Sequence, residues 1–354
     1  MFQLHFDNQV FSDLSDFERD LEALPDFAKA AFTFCHAWLS GAKTFVQQTS
    51  GSTGVPKKIE VTREQMLASS IATGAFFNAN ESTQLLCCLS PEYIAGKMML
   101  VRAMVWDCPI WLVEPSGIQL DAISFVPDFV AMVPLQVEKA IENPPSVATL
   151  RGVKHLIIGG ASISKKLKSK LVVNSIEAWQ SYGMTETVSH IALAKITQGD
   201  LLYQTLPGVE IGQDGRGALW VKSPMSRTEK IQTNDLVDLK SENGFLWLGR
   251  ADFVVNSGGI KLHPELLESK AESVIQEFFP GSRFFFFGEF DEKLGQKLVL
   301  ILENEPNLET SKKLTVSLVN NLSRFEVPKE VYFSREFVLT PNGKINRSQT
   351  FENL

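Results

Sequence analysis

Six small residues stand in a row at Thr49, Ser50, Gly51, Ser52, Thr53 and Gly54, and Pro56-Lys57-Lys58 closes the row. The two glycines let a backbone approach an anion, the hydroxyls and nearby amide N–H groups donate to it, and Lys57 adds a cation. The chemistry on offer is phosphate binding. The spacing is not that of a Walker loop, because the glycines are three apart and Val55-Pro56 separates Gly54 from Lys57. A row of this composition is also what a flexible linker looks like.

Four further stretches combine apt residue types. In "YGMTETVSH" (182–190), Thr185 can donate to a phosphoryl oxygen and Glu186 offers a hard carboxylate oxygen to Mg²⁺. In "TNDLVDL", Asp235 can accept hydrogen bonds from a sugar diol. "GRADFVVNSGGIKLHPELLE" (249–268) sets an arginine, an aspartate and a glycine pair at a change in chain character, and "LTPNGKINR" (339–347) puts Lys344 beside a turn. Taken singly, these read more readily as a capped strand end, a solvated turn acid and a surface lysine.

The elements that must position them alternate. Strand-like apolar runs ("QLLCCLS", "PIWLV", "FVAMVP", "VKHLIIGG", "EAWQSYG") are interleaved with helical stretches ("AGKMMLVRAMVW", "LQVEKAIEN", "SKKLKSKLVV"). Uniformly apolar strands between helices predict parallel sheets covered on both faces. A helix is expected over 13–40, with Ser15 or Asp16 as its cap, and another from Thr62 to 79. After about residue 200, Gly-rich turns and alternating residues predict hairpins. From about 253, "PELLESKAESVIQEFF" and "LTVSLVNNLSRF" read as helices, and "SRFFFFGEF", "KLVLILE" and "KEVYFS" as strands, making a compact α+β unit.

The 354 residues exceed what one core organises, so two units are expected. The 44% hydrophobic and 21% charged content is that of a globular protein, and the net charge of −7 argues against a nucleic-acid partner. The acidic start lacks the pattern of a signal peptide, and no run approaches a membrane span. Cys35, Cys87, Cys88 and Cys108 are expected as buried free thiols in a reducing cytosol. The five histidines show no zinc-ligand spacing.

In order, spacing and type, the five motifs together resemble those of the adenylate-forming superfamily of acyl-CoA synthetases, luciferases and nonribosomal-peptide adenylation domains. The resemblance runs from about residue 45 to the C-terminus. "TSGSTGVPK" resembles its phosphate signature, Gly159-Gly160-Ala161 and "YGMTE" its nucleotide and acyl motifs, "GRADFVVNSGGIKLHPELLE" its hinge, and "PNGKINR" its C-terminal lysine loop. The chain departs in reading Thr233-Asn234-Asp235 where the family has Thr-Gly-Asp, and in having 48 residues before the phosphate loop where most members have well over a hundred.

The resemblance implies an α/β fold. Residues 1–249 would form a large core of mainly parallel sheets flanked by helices, plus a small β-barrel-like part. Residues 250–252 would be a hinge, and 253–354 a small mobile α+β lid. It implies ATP, Mg²⁺ and coenzyme A as reactants with a small carboxylic acid. Ser50, Ser52, Thr53 and Lys57 would take the β- and γ-phosphates, with Thr49 capping the loop and Gly51 and Gly54 shaping it. Gly159, Gly160, Ala161, Ser181, Tyr182, Gly183 and Met184 would line the nucleotide pocket. Thr185 would face the α-phosphate, Glu186 hold Mg²⁺, and Asp235 and Arg250 take the ribose hydroxyls. Lys344 would bridge the α-phosphate and the attacking carboxylate. Asp252 would be the pivot of a lid rotation that presents Gly258, Gly259 and Lys261 to the thiol.

The segments "GMTETVSHIAL" and "LSPEYIAGKMMLVRAMVWDCPIWLVEP" look most like those of the o-succinylbenzoate–CoA ligases of menaquinone synthesis. Tyr93, Lys97, Arg102 and His190 are then candidates for the acyl pocket, where a second carboxylate must be paired if buried. Lys97 and Arg102 read more readily as surface charges of a helix. The rival readings are another aryl- or acyl-CoA ligase, a stand-alone adenylation enzyme, and a non-catalytic nucleotide-binding member. Retention of Lys344, Glu186 and Asp235 argues against the last. The expected setting is cytoplasmic, with no nucleic acid and no membrane span; a homodimer is left open.

Overall fold

The computed structural model describes residues 1–48, 58–115, 120, 123–226, 228–339 and 345–354. Its strands are β1 (Gln3–Phe6), β2 (Gln9–Phe11), β3 (Thr44–Gln48), β4 (Lys58–Thr62), β5 (Leu85–Cys87), β6 (Pro109–Leu112), β7 (Phe129–Met132), β8 (His155–Ile158), β9 (Ala178–Gly183) and β10 (His190–Lys195). They continue as β11 (Leu202–Thr205), β12 (Glu210–Gln213), β13 (Ala218–Lys222), β14 (Ile231–Ser241), β15 (Gly244–Arg250), β16 (Val255–Ser257), β17 (Ile260–Leu262), β18 (Phe284–Asp291), β19 (Gly295–Glu303) and β20 (Glu330–Ser334). The helices are α1 (Asp26–Leu39), α2 (Arg63–Phe77), α3 (Ile94–Trp106), α4 (Pro134–Ile141), α5 (Pro144–Gly152), α6 (Lys165–Val173), α7 (Pro264–Phe278), α8 (Leu308–Leu318) and α9 (Arg347–Glu352).

Thirteen strands form one sheet in the order β12-β13-β14-β15-β11-β10-β9-β8-β7-β5-β6-β1-β2. From β9 to β1 the neighbours are parallel, and antiparallel strands extend the sheet at both ends. The parallel strands are apolar because helices cover both faces. Successive residues feed opposite cores: Leu85, Cys87, Phe129 and Ala131 pack with α1, α2 and α3, whereas Leu86, Val130 and Met132 pack with α4, α5 and α6. All four cysteines are buried free thiols, as their apolar settings suggested, and burial pushes Cys87 up to about 12.

The helix expected from Thr62 begins there with a reciprocal cap. The Gln65 N–H donates to Thr62 Oγ1 at 3.3 Å, and Gln65 Oε1 accepts from the Thr62 N–H at 2.9 Å. The helix expected over 13–40 is corrected: α1 begins only at Asp26, after a 3₁₀ turn over Leu14–Phe17. Pro25 is the reason, since its fixed φ and missing N–H suit the first position of a helix and not its interior. The helix expected at 314–325 lies earlier, at α8, where Asn307 caps it through a 3.0 Å bond from the Thr310 N–H.

Beyond residue 200 the expected hairpins are β12–β13 and β14–β15, and β11 joins them to the main sheet by pairing with both β10 and β15. The last five strands make a separate sheet, β17-β16-β19-β18 with β20 parallel to β19. It has its own cores, one with α7 and α8 and a smaller one holding Phe285, Phe337 and the flanking Phe351. Among the described residues no helix is long and apolar enough to cross a membrane.

Candidate active site

The carboxyl ends of adjacent parallel strands bring the central motifs together, the usual place for a ligand crevice in an open α/β sheet. β8 runs out into Gly159-Gly160-Ala161, and its neighbour β9 runs out through Ser181, Tyr182 and Gly183 into Met184 and a 3₁₀ turn over Thr185–Thr187. Gln180, which the motifs did not flag, ties the two loops. Its amide donates to the carbonyls of Ile158 (3.3 Å) and Ala161 (3.1 Å), and its oxygen accepts from the Ile163 N–H at 3.2 Å. Buried polar groups need such partners. In the turn, Thr187 Oγ1 bonds back to the carbonyls of Met184 and Ser189, which leaves Thr185 part-exposed and Glu186 exposed.

Asp235 lies opposite Arg250 in the β14–β15 register. The Tyr182 hydroxyl donates to Asp235 Oδ2 at 2.7 Å, the Trp247 indole N–H donates to Oδ1 at 3.3 Å, and an Arg250 nitrogen stands 3.8 Å from Oδ1. Burial and the adjacent Asp235 push the Tyr182 phenol up, so it stays a donor. Trp247 is a second residue that motif reading missed, because it touches Asp235 only across the hairpin. Arg250 also pairs with Asp252 at 2.6 Å, and Asn234 donates to Asp252 at 3.1 Å. The Asn that replaces the family's glycine therefore bonds the expected pivot.

Gly258 (φ +58°) and Gly259 (φ +83°) form the two-residue turn between β16 and β17, a geometry that requires positive φ at both positions, and Lys261 follows exposed on β17. Thr49, Ser50, Gly51, Ser52, Thr53, Gly54, Lys57 and Lys344 lie outside the described residues.

On the acyl side Tyr93 is exposed just before α3. Lys97 is half-buried, donating to Gln47 Oε1 at 3.1 Å and to the Glu92 carbonyl at 3.3 Å, and burial lowers its pKa against the pull of Glu92. Arg102 corrects the surface-charge alternative, since it is 2% exposed. Its guanidinium lies 5.7 Å from the Phe129 ring centre and, among the described residues, hydrogen-bonds only to Met99 Sδ and Ser189 Oγ, each at 3.4 Å. Its Nε is buried without a partner, and no carboxylate pairs with it among the described residues. Burial lowers it to about 10, with Cys87 opposing. His190 is beside it, with Nδ1 3.4 Å from Ser189 Oγ and Nε2 3.2 Å from Thr73 Oγ1. Burial, joined by the Arg102 charge, holds His190 well below the usual imidazole range and so neutral.

The sequence profile of AMP-binding enzymes matches residues 29–213, more than half of the chain. The chain belongs to the AMP-binding enzyme family. A 2-succinylbenzoate–CoA ligase from Listeria monocytogenes is 26% identical over 351 residues, which span 89% of this chain and 71% of that protein. A probable 2-succinylbenzoate–CoA ligase from Mycobacterium tuberculosis is 26% identical over 322 residues, covering 86% and 82%. Among solved structures, an AMP-forming acyl-CoA synthetase/AMP-acid ligase II-like protein from Dyadobacter fermentans is 38% identical, with a TM-score of 0.65 over 97% of this chain and 98% of that one. The o-succinylbenzoate CoA synthetase of Bacillus subtilis in complex with its acyl-adenylate intermediate shares the fold, with a TM-score of 0.70 at 20% identity over 86% and 68%. As an AMP-binding family member the chain is an AMP-forming acid–CoA ligase, with ATP and coenzyme A as its reactants.

Proposed function

We propose that this ligase activates o-succinylbenzoate for menaquinone synthesis in the cytoplasm. The carrying observation is Arg102, a buried guanidinium without an anionic partner among the described residues, next to a neutral His190 and the Ser189 hydroxyl. An unpaired buried charge is costly, and a substrate with a second carboxylate removes that cost on binding. The names of the Listeria and Mycobacterium relatives support the same acid.

In this reading a carboxylate oxygen of the substrate attacks the α-phosphorus of ATP, and pyrophosphate leaves. The coenzyme A sulfur then attacks the acyl carbonyl, its proton departs to solvent, and AMP leaves. The carboxylate is already a nucleophile, so the protein contributes position and charge. Asp235, held by Tyr182 and Trp247, takes the ribose hydroxyls with Arg250. Thr185 donates to the α-phosphate. Glu186, an exposed carboxylate with no partner among the described residues, fits a hard cation, and Mg²⁺ held there would neutralise phosphate charge. Lys344 and the 49–57 loop complete the phosphate contacts. Residues 253–354 rotate about Asp252 between the two half-reactions.

Incubation with ATP, Mg²⁺, coenzyme A and o-succinylbenzoate should yield AMP and a new thioester, with benzoate far poorer. Equal rates with both acids would refute the Arg102 pairing, and AMP release with other acids alone would favour a different aryl- or acyl-CoA ligase. That second reading is supported by the broader name of the 38% identical Dyadobacter protein.

A further inference from the structure

Where the main sheet passes into the C-terminal one, the side chains of Glu265, Glu268 and Arg347 lie close enough to feel one another's charge. Arg347 opens α9, three residues after Lys344. Its guanidinium, 13% exposed, lies 4.6 Å over the ring of Phe253 in the hinge turn and 5.7 Å from Phe285 on β18. One of its nitrogens pairs with Glu268 of α7 at 2.8 Å, and the other Glu268 oxygen accepts from the Phe286 N–H at 2.9 Å. The residue thus touches the hinge, α7 and the sheet at once.

The cluster is incomplete in a complementary way. Among the described residues, Arg347 Nη1 is a buried donor without an acceptor, and Glu265 Oε2 is a buried acceptor without a donor. Glu265 is close enough to Arg347 to feel its charge, but its carboxyl is turned to the end of β15. There the Arg250 N–H faces it, and a Cβ added to Gly249 would stand 2.7 Å from Oε2. Each group thus keeps one partner, Glu268 for Arg347 and the Arg250 N–H for Glu265, and leaves one atom of opposite character unused. A buried polar atom left unsatisfied calls for an explanation, and a second arrangement that pairs it is one.

We propose that Glu265 is a positioning residue that exchanges partners as the hinge turns. It faces the Arg250 N–H in the arrangement described here, and takes the free Arg347 nitrogen in the other. Arg347, already stacked on Phe253 and held by Glu268, then carries the hinge angle to the segment that bears Lys344. The inference rests on the rotation proposed above and adds the latch that makes it two-state. The charged groups facing Glu265 are Arg250 from β15, Glu268 from its own helix and Arg347 from α9.

The test is a double-mutant cycle on the full chain with E265Q, R347K and both together. Pyrophosphate exchange with acid and ATP reads one half-reaction, and thioester formation from supplied acyl-adenylate reads the other. The coupling between the two substitutions is expected to be about tenfold in one half-reaction and under about twofold in the other. Equal coupling in both, or none in either, overturns the latch. Hydrogen exchange of residues 249–253, compared between ATP with Mg²⁺ and AMP with coenzyme A, gives a readout that needs no acid turnover. The wild-type difference between the two nucleotide states should shrink in folded E265Q, and an unchanged difference also overturns the proposal. Failure of the ligase reading is seen separately, as absence of exchange with every acid in the wild type.

Discussion

At Asp235 a carboxylate, 16% exposed, is met by the Tyr182 hydroxyl, the Trp247 indole and the Arg250 guanidinium, whereas the guanidinium of Arg102 is buried deeper and meets no carboxylate among the described residues. The first site has its charge balanced before any ligand arrives. The second has paid desolvation and received only a hydroxyl, a thioether and an aromatic face in return. Preorganised donors suit a part of the ligand that every substrate shares, and an unbalanced buried charge suits the part that distinguishes one acid from another.

The strongest way to break this contrast is Arg102→Met. Its kcat/KM for o-succinylbenzoate should fall by roughly 30-fold to several thousandfold, because truncating one member of a buried charge pair costs about 2–5 kcal/mol. The ligand-free protein should meanwhile gain at least about 1 kcal/mol, since an unpaired buried charge is gone. A melting temperature that drops in the unliganded variant would contradict the account of that pocket. Asp235→Asn should act in the opposite sense, leaving acid preference alone and raising the KM for ATP by roughly 10- to 100-fold, the value of hydrogen bonds to a charged group.

A third charged group differs from both. Burial raises the Glu268 carboxyl from the ordinary 4.5 to about 6, with Arg347 opposing. Between those values the folded protein holds more protons at this site than the unfolded chain, so its contribution to stability falls as pH rises from about 4.5 through about 6 and is level above. The difference is about 2 kcal/mol by linkage. Glu268→Gln should flatten that part of a denaturant-melt series against pH, and an undiminished slope would assign it to other groups. The smallest effect is expected at Trp247→Phe. Asp235 keeps Tyr182 there, so the KM for ATP should rise only severalfold, from about 1 kcal/mol for one hydrogen bond. No change in steady-state kinetics would remove Trp247 from the nucleotide side.

Much of the fold could be read from the chain. Uniformly apolar runs between helices gave the parallel strands, since only a strand covered on both faces needs no polar alternation, and Thr62 with Gln65 announced the start of α2. Other features could not be read. The helix expected over 13–40 runs across Pro25, because apolar spacing alone does not register a missing N–H. The joining of β11 to both β10 and β15 depends on pairing over long sequence separations, which local pattern does not encode.

The site divides in the same way. Residue types at close spacing nominate Thr185, Glu186, Asp235, Arg250 and the Gly258-Gly259 turn only as candidates, and it is the order of five motifs along the chain that carries the resemblance to adenylate-forming enzymes. "AGKMMLVRAMVW" is apolar around its whole circumference, so its period could not say whether Arg102 points to solvent or inward. Only the packing of α3 against α2 and the main sheet buried that side chain beside Ser189 and His190. Gln180, Trp247 and the Glu265–Glu268–Arg347 cluster were likewise beyond reach. Their partners come from other strands and helices, and which atoms meet across a sheet is set by strand order and register rather than by position along the chain.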